Sequence, residues 1–267
     1  MSKNNLIKAG LINSPELPDS VDNAIKNLTD APTQNAGKTL ADLWYLIFGG
    51  ISLKADKVRL KYAADLEKYN QELKQTTNEI PKEKLAEPSI QVIAQALENS
   101  KYCISSALLR KMFVNLISSS MNIDTKDFVH PSFPEIIKQL STFDATLLVD
   151  IYCSNQQPLP VASLGINTPQ QGHTVLFNNI YIFKTLNFST DMCSLSLASL
   201  QRANLISISY VQRLSDDEMY NSLRETSEYI DVQKMASLSH GSLYFRKGIV
   251  QLTDFGNKFC SICIKTD

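Results

Sequence analysis

The chain is short of the residues and runs that would announce a function. Among 267 residues there are three histidines, His130, His173 and His240, in three different sequence contexts. None has a neighbour at metal-ligand spacing, and none stands beside a plausible nucleophile in sequence. Charge of one sign is missing too: the formal net charge is -1, which gives no global pull towards nucleic acid or an anionic membrane. The longest apolar run, Leu43 to Leu53, has 11 residues, against the ~20 a helix needs to cross a bilayer. It reads as a buried helix broken at Gly49-Gly50, with a membrane-seeking hairpin as the alternative. The opening MSKNNLIKAG lacks an apolar signal core. With five scattered cysteines, an odd number, it points to reduced thiols and a cytoplasmic protein. No phosphate-binding glycine loop, dinucleotide fingerprint, H-E-x-x-H or G-x-S-x-G occurs, which weighs against an enzyme.

What is present is an ordinary globular composition, 43% apolar and 20% charged, enough for real cores. Residues 1–37 form a polar arm with a short helix after Asp19 or Ser20. Residues 38–141 read as a helical domain. Val58, Tyr62, Leu66, Tyr69 and Leu73 share one helix stripe, and Pro81 ends that segment. Pro88 suits a first helical turn, followed by an apolar face of Ile90, Ile93, Ala94 and Leu97. Ile104, Leu108, Met112 and Leu116 mark a further helix.

The stretch DFVHPSFPEIIKQLSTFDATLL reads as a joint between helices. Pro131 biases His130 towards extended backbone. Ser132 and Glu135 have capping-box spacing, and Ser141 and Asp144 repeat it. His130 is therefore placed as a structural residue ahead of a cap, with a functional site as the alternative.

Residues 142–267 read as a second, winged-helix-like domain. NQQPLPVASLGINTPQQGH suggests loops and VLFNNIYIF a strand. SLYFRKGIVQL suggests a hairpin bending at Lys247-Gly248, and a last helix follows from Phe255 to Ile264. The fold class expected is thus mainly α, an N-terminal helical bundle with a C-terminal winged-helix-like α+β module. Cys260-x-x-Cys263 is the only metal-like or redox-like pair, and it reads as packed thiols on one helix face. A winged helix invites a nucleic-acid reading. However, residues 142–267 hold nine Lys/Arg against eleven Asp/Glu, and phosphate neutralisation dominates such binding. Arg202, Arg246 and Lys247 are the candidate contacts if it occurs.

The run ALLRKMFVNLISSSMN followed by VHPSFPEIIKQLSTFDATLL resembles the abortive-infection alpha family of bacterial phage-defence proteins. GKTLADLWYLIFGG, IPKEKLAEPSIQVIAQALE, ASLQRANLISISY and VQLTDFGNKFCSIC extend the resemblance over about residues 38–264. The motif positions are His130, Pro131, Ser132, Phe133, Glu135, Ser141 and Asp144, then Leu252, Thr253, Phe255 and Gly256. Met112-Phe113 stands where many members carry Trp, and Ala203-Asn204 replaces a common Leu-Gly. The resemblance implies a role in abortive infection and brings no catalytic residue with it. The function expected is a non-enzymatic sensor or effector that needs no cofactor or metal. It would work by contact with a protein, phage-encoded or a second copy of this chain. A winged-helix regulator of nucleic acid and a membrane-acting toxin using residues 43–53 are the alternatives.

Overall fold

Apolar residues recurring every three or four positions produce the first half of the fold. A computed structural model describes residues 56–154, 157–169, 172–183 and 189–265. The expected polar arm, the helix before Gly49-Gly50 and the Leu43 to Leu53 segment lie outside these residues. Helix α1 (Asp56–Asn78) buries Tyr69 and Leu73 completely and Tyr62 and Leu66 in part, the stripe its spacing predicts. Helix α2 (Ile90–Ser100) buries Val92, Ile93, Ala96 and Leu97. Helix α3 (Ala107–Ser120) is buried almost all round, from Leu109 to Ser120 with Lys111 excepted, as befits a central helix. The one cation buried within it, Arg110, is held by Glu72 of α1 through two hydrogen bonds of 2.9 and 2.8 Å, and it donates to the Ile104 carbonyl at 2.7 Å. Such a fork satisfies a charge that would otherwise be expensive to bury. Helices α4 (Phe133–Gln139) and α5 (Thr142–Cys153) follow.

The second half departs from the expectation. Strands β1 (Leu159–Thr168) and β2 (Gly172–Ile180) form a hairpin. Helix α6 (Thr190–Arg202) leads to β3 (Ile206–Ser209). Two helices, α7 (Asn221–Arg224) and α8 (Ser227–Leu238), precede β4 (Ser242–Leu252) and α9 (Asp254–Cys263). All pairings are antiparallel in the order β2-β1-β4-β3, a sheet curled as a half-barrel. The fold is therefore α+β, and the expectation of a mainly α protein with a winged-helix module is overturned.

The proposed wing is the clearest correction. SLYFRKGIVQL does not turn at Lys247-Gly248: it is one continuous strand, in which Lys247 pairs with Ala162 and Gly248 with Val161. Gly248 is required there by proximity rather than by a bend. A Cβ on it would lie 2.6 Å from the Ser209 carbonyl oxygen and 2.7 Å from the Tyr210 ring. The segment expected as loops holds β1, whose Leu159, Val161, Ala162 and Leu164 are buried.

Alternation along the strands divides the core in two. Leu159, Val161 and Val250 face a large cluster that takes side chains from α1 to α6 and α9. Ala162 and Leu164 face the other way, onto Tyr220, Leu223 and Val232. Helices before and after residue 141 share the large cluster, so the core runs continuously past the joint in the middle of the chain.

Candidate functional site

The family-motif residues were read in sequence as two separate blocks, and the fold brings the blocks together. In the first block, His130 and Ser132 form a closed local unit. The His130 Nδ1 accepts the Ser132 backbone N–H at 3.2 Å and lies 2.7 Å from its hydroxyl. Because Nδ1 accepts a backbone N–H, the ring proton belongs on Nε2. The expected Ser132–Glu135 capping box is absent. Ser132 has helical backbone angles (φ -79°, ψ -13°) and its side chain caps nothing, whereas a capping hydroxyl needs an extended residue. Pro134 fills the first turn of α4, where a missing N–H is harmless. Glu135 reaches outward to Gln139 at 3.0 Å, Lys138 at 3.4 Å and Asn99 of α2 at 3.2 Å. These hydrogen bonds, Gln139's foremost, hold its carboxyl below the ordinary value. Pro131 lies in the turn between them.

The second box is real. Ser141 accepts the Asp144 N–H at 3.0 Å, and Asp144 accepts the Ser141 N–H at 2.9 Å. Sequence reasoning missed its continuation. Ser196 of α6, 1% exposed, donates to Asp144 at 2.6 Å. One buried carboxylate thus caps α5 and fastens α6 to it. A serine on the buried face of α6 was the only available signal.

In the second block each motif residue has a distinct task. Leu252 ends β4 opposite Ile206. Thr253 caps α9: its hydroxyl accepts the Gly256 N–H at 2.8 Å and donates to the Asn204 carbonyl at 2.6 Å. Gly256 presses against the turn between α6 and β3 so closely that a Cβ would stand 1.8 Å from the Leu205 oxygen. Asn204, at φ 57°, takes the left-handed position that ends α6. Its N–H bonds to the Gln201 oxygen and that of Leu205 to the Leu200 oxygen, a complete Schellman closure. The Asn in place of Gly noted in the sequence is therefore a substitution by the next best residue for that backbone.

Phe255 joins the blocks. Its ring meets His130 edge-on at 5.6 Å and Phe133 at 5.5 Å, and Phe133 meets Phe259 at 5.1 Å. Edge-to-face contacts of this kind add to plain burial. The far end of α9 is tied to α3, where Asn115 donates to the Cys263 carbonyl at 3.0 Å and Ser119 to that of Ile262 at 3.3 Å. Phe133 and Phe259 are buried, while His130 is exposed at the rim. Two residues earlier Phe128 is 51% exposed, with the Lys258 ammonium 3.9 Å from its ring centre. That is a cation–π contact standing in solvent.

The remaining candidates do not converge. Arg202 is exposed at the end of α6. Arg246 lies 5.5 Å from the Tyr210 ring. Lys247 points to the other face of β4 and pairs with Asp217. Cys260 and Cys263 are buried on α9, and burial pushes both thiols well above their ordinary value. Among the described residues, no group of three or more His, Cys, Asp and Glu is placed to hold a metal ion, and no helix is long and apolar enough to cross a membrane.

Neither the curated proteins nor the solved structures give a match to this chain. A family model does: abortive infection alpha matches residues 61–263, a span that contains both motif blocks and every contact between them. The chain belongs to the abortive infection alpha family, and its role lies in phage defence.

Proposed function

We propose that the protein is a non-enzymatic sensor or effector of abortive infection that works by docking another protein on the rim around His130. The observation that carries this is the division of labour within the family motif. Its inner part, the buried Phe133 and Gly256 with the half-buried Phe255 and Thr253, ties α4 to α9 and α9 to the turn ahead of β3. Its border stays open: His130 is exposed against Phe255, and close by in sequence Phe128 and Lys258 are exposed against each other. A rigid support under an exposed aromatic ring suits a protein-binding surface, where aromatic side chains including Phe are enriched. The Ser132 hydroxyl lies 2.7 Å from the His130 Nδ1 that also takes the backbone N–H of Ser132. This favours a positioning role for the pair over hydrolysis.

The test is phage challenge of cells carrying Phe128→Ala or Lys258→Glu, with crosslinking of bound protein. Both variants should keep the wild-type abundance and melting temperature, lose protection, and lose a crosslinked partner. Full protection in both variants would remove this reading.

A further inference from the structure

The half-barrel has two edges, and they are unlike. The β3 edge is four residues long, which is itself a safeguard against pairing with another chain. The β2 edge runs from Gly172 to Ile180 and carries none of the usual safeguards in its sequence: GHTVLFNNI has no charged residue and no proline. Irregularities of register fall towards its far end, between the pairs Ala162–Ile180, Leu164–Phe177 and Gly165–Val175. There α6 also meets it, through the Ser194 hydroxyl on the Asn178 carbonyl at 2.8 Å. The near end is regular, Gly172 to Val175 pairing in order with Thr168 to Gly165. Gly172 to Leu176 are all exposed, and Val175 and Leu176 keep 38% and 43% of their surface in solvent. The His173 ring lies stacked on Tyr244, 4.7 Å between centres, on a face of the sheet rather than across its edge.

We infer that two copies of this chain pair through the Gly172–Leu176 edges of β2, antiparallel about a two-fold axis, to join their sheets. The charge pattern selects a second copy as occupant. A two-fold antiparallel pairing sets residues of one strand against residues of the same strand, so any charge near the axis meets its own duplicate about 4.5–5.5 Å away. This segment holds none. The outward backbone groups supply the hydrogen bonds, and Val175 and Leu176 supply the apolar contact. With so short a run the dimer is weak and concentration-dependent. The inference uses a different surface from the docking rim and does not rest on the defence reading.

The test is sedimentation equilibrium of the full chain over a dilution series, with amide hydrogen exchange followed at His173 to Leu176. Wild type should show a monomer–dimer equilibrium in which the alternate amides that point away from β1 become more protected as concentration rises. Val175→Lys with Leu176→Lys should weaken the dimer by about tenfold or more, because four like charges then gather around the two-fold axis. Both positions are exposed, so the melting temperature should hold. Exchange in the wild type tests the same interface should the variant fold poorly. A wild type that stays monomeric to its solubility limit, a dimer that persists in the folded variant, or protection that does not follow concentration would each overturn the inference. Protection that appears only when a different protein is added would assign the edge to that protein instead.

Discussion

The imidazole of His130 lies edge-on against the ring of Phe255, 5.6 Å between centres, although one motif block lies in the middle of the chain and the other near its end. The contact makes His130 part of the packing between α4 and α9. His130→Ala should cost about 0.5–1.5 kcal/mol, the net value of a local hydrogen bond, with the ring contact adding to it. His130→Asn should recover part of that loss, since an Asn side-chain oxygen can also accept the N–H two residues on. Thermal melts and phage protection at matched abundance decide the matter. If His130→Ala melts like wild type and yet abolishes protection, the ring acts on a partner or substrate and not through packing.

Asp144 should prove the more sensitive residue. Ser141→Ala removes one cap, for about 0.5–2 kcal/mol. Asp144→Ala removes the reciprocal bond of the box and leaves the buried Ser196 hydroxyl without its acceptor, which adds about 1–3 kcal/mol. A double-mutant cycle between Asp144→Ala and Ser196→Ala should therefore give a coupling of about 0.5–3 kcal/mol. Additive effects in that cycle would mean that the bond between α5 and α6 contributes nothing. Ser132→Ala, which removes no cap, should fall below Ser141→Ala.

These two serines show how far the sequence could be read. Ser132–Glu135 and Ser141–Asp144 have the same spacing, and only the second is a box. Spacing records which groups can meet, while backbone angles decide whether they do, and Ser132 is already helical with its N–H held by the His130 ring. Helices were legible because a stripe at three and four is written locally, as in Tyr62 to Leu73. Strand β1 was hidden by Pro160 and Gly165. Pro160 is tolerated because β2 joins only from Ala162, so at that point β1 has a single neighbour. Gly165 and Gly248 look like turn residues and are instead points of close approach, to Thr174 and to Ser209 with Tyr210. Such a requirement belongs to the approaching segment, far away in sequence, as does the meeting of His130 with Phe255.

The junction of α6, β3 and α9 offers a sharper test of that idea. Gly256→Ala forces a methyl group to within 1.8 Å of the Leu205 oxygen unless the backbone moves. The cost should be at the upper end of overpacking, about 3 kcal/mol or more. Asn204→Ala should cost about 1 kcal/mol for placing an ordinary residue at φ 57°, whereas Asn204→Gly should be neutral or stabilising by up to about 1 kcal/mol. Chemical denaturation of the three variants gives the order. A Gly256→Ala protein as stable as wild type would show that α9 does not abut the Leu205 turn.

Asp217 predicts a pH dependence whose sign follows from its partners. It accepts hydrogen bonds from Lys247 and from Arg224, the latter at 2.8 Å. The Lys247 bond, and then that of Arg224, hold its carboxyl down to about 2. A carboxyl depressed on folding contributes its stability above the unfolded value of about 4, and the contribution is lost as pH falls through the folded one. The side chain is 61% exposed, so water and salt screen the pair and the effect is small. The difference in melting temperature between wild type and Asp217→Asn should accordingly be greatest near neutral pH. It should close as pH falls from about 4 to about 2, and shrink at every pH in high salt. A difference that stays level to the acid end would mean that the carboxylate charge plays no part. Lys247 would then be held over the buried Tyr220 ring, 5.6 Å from its centre, by the aromatic contact alone.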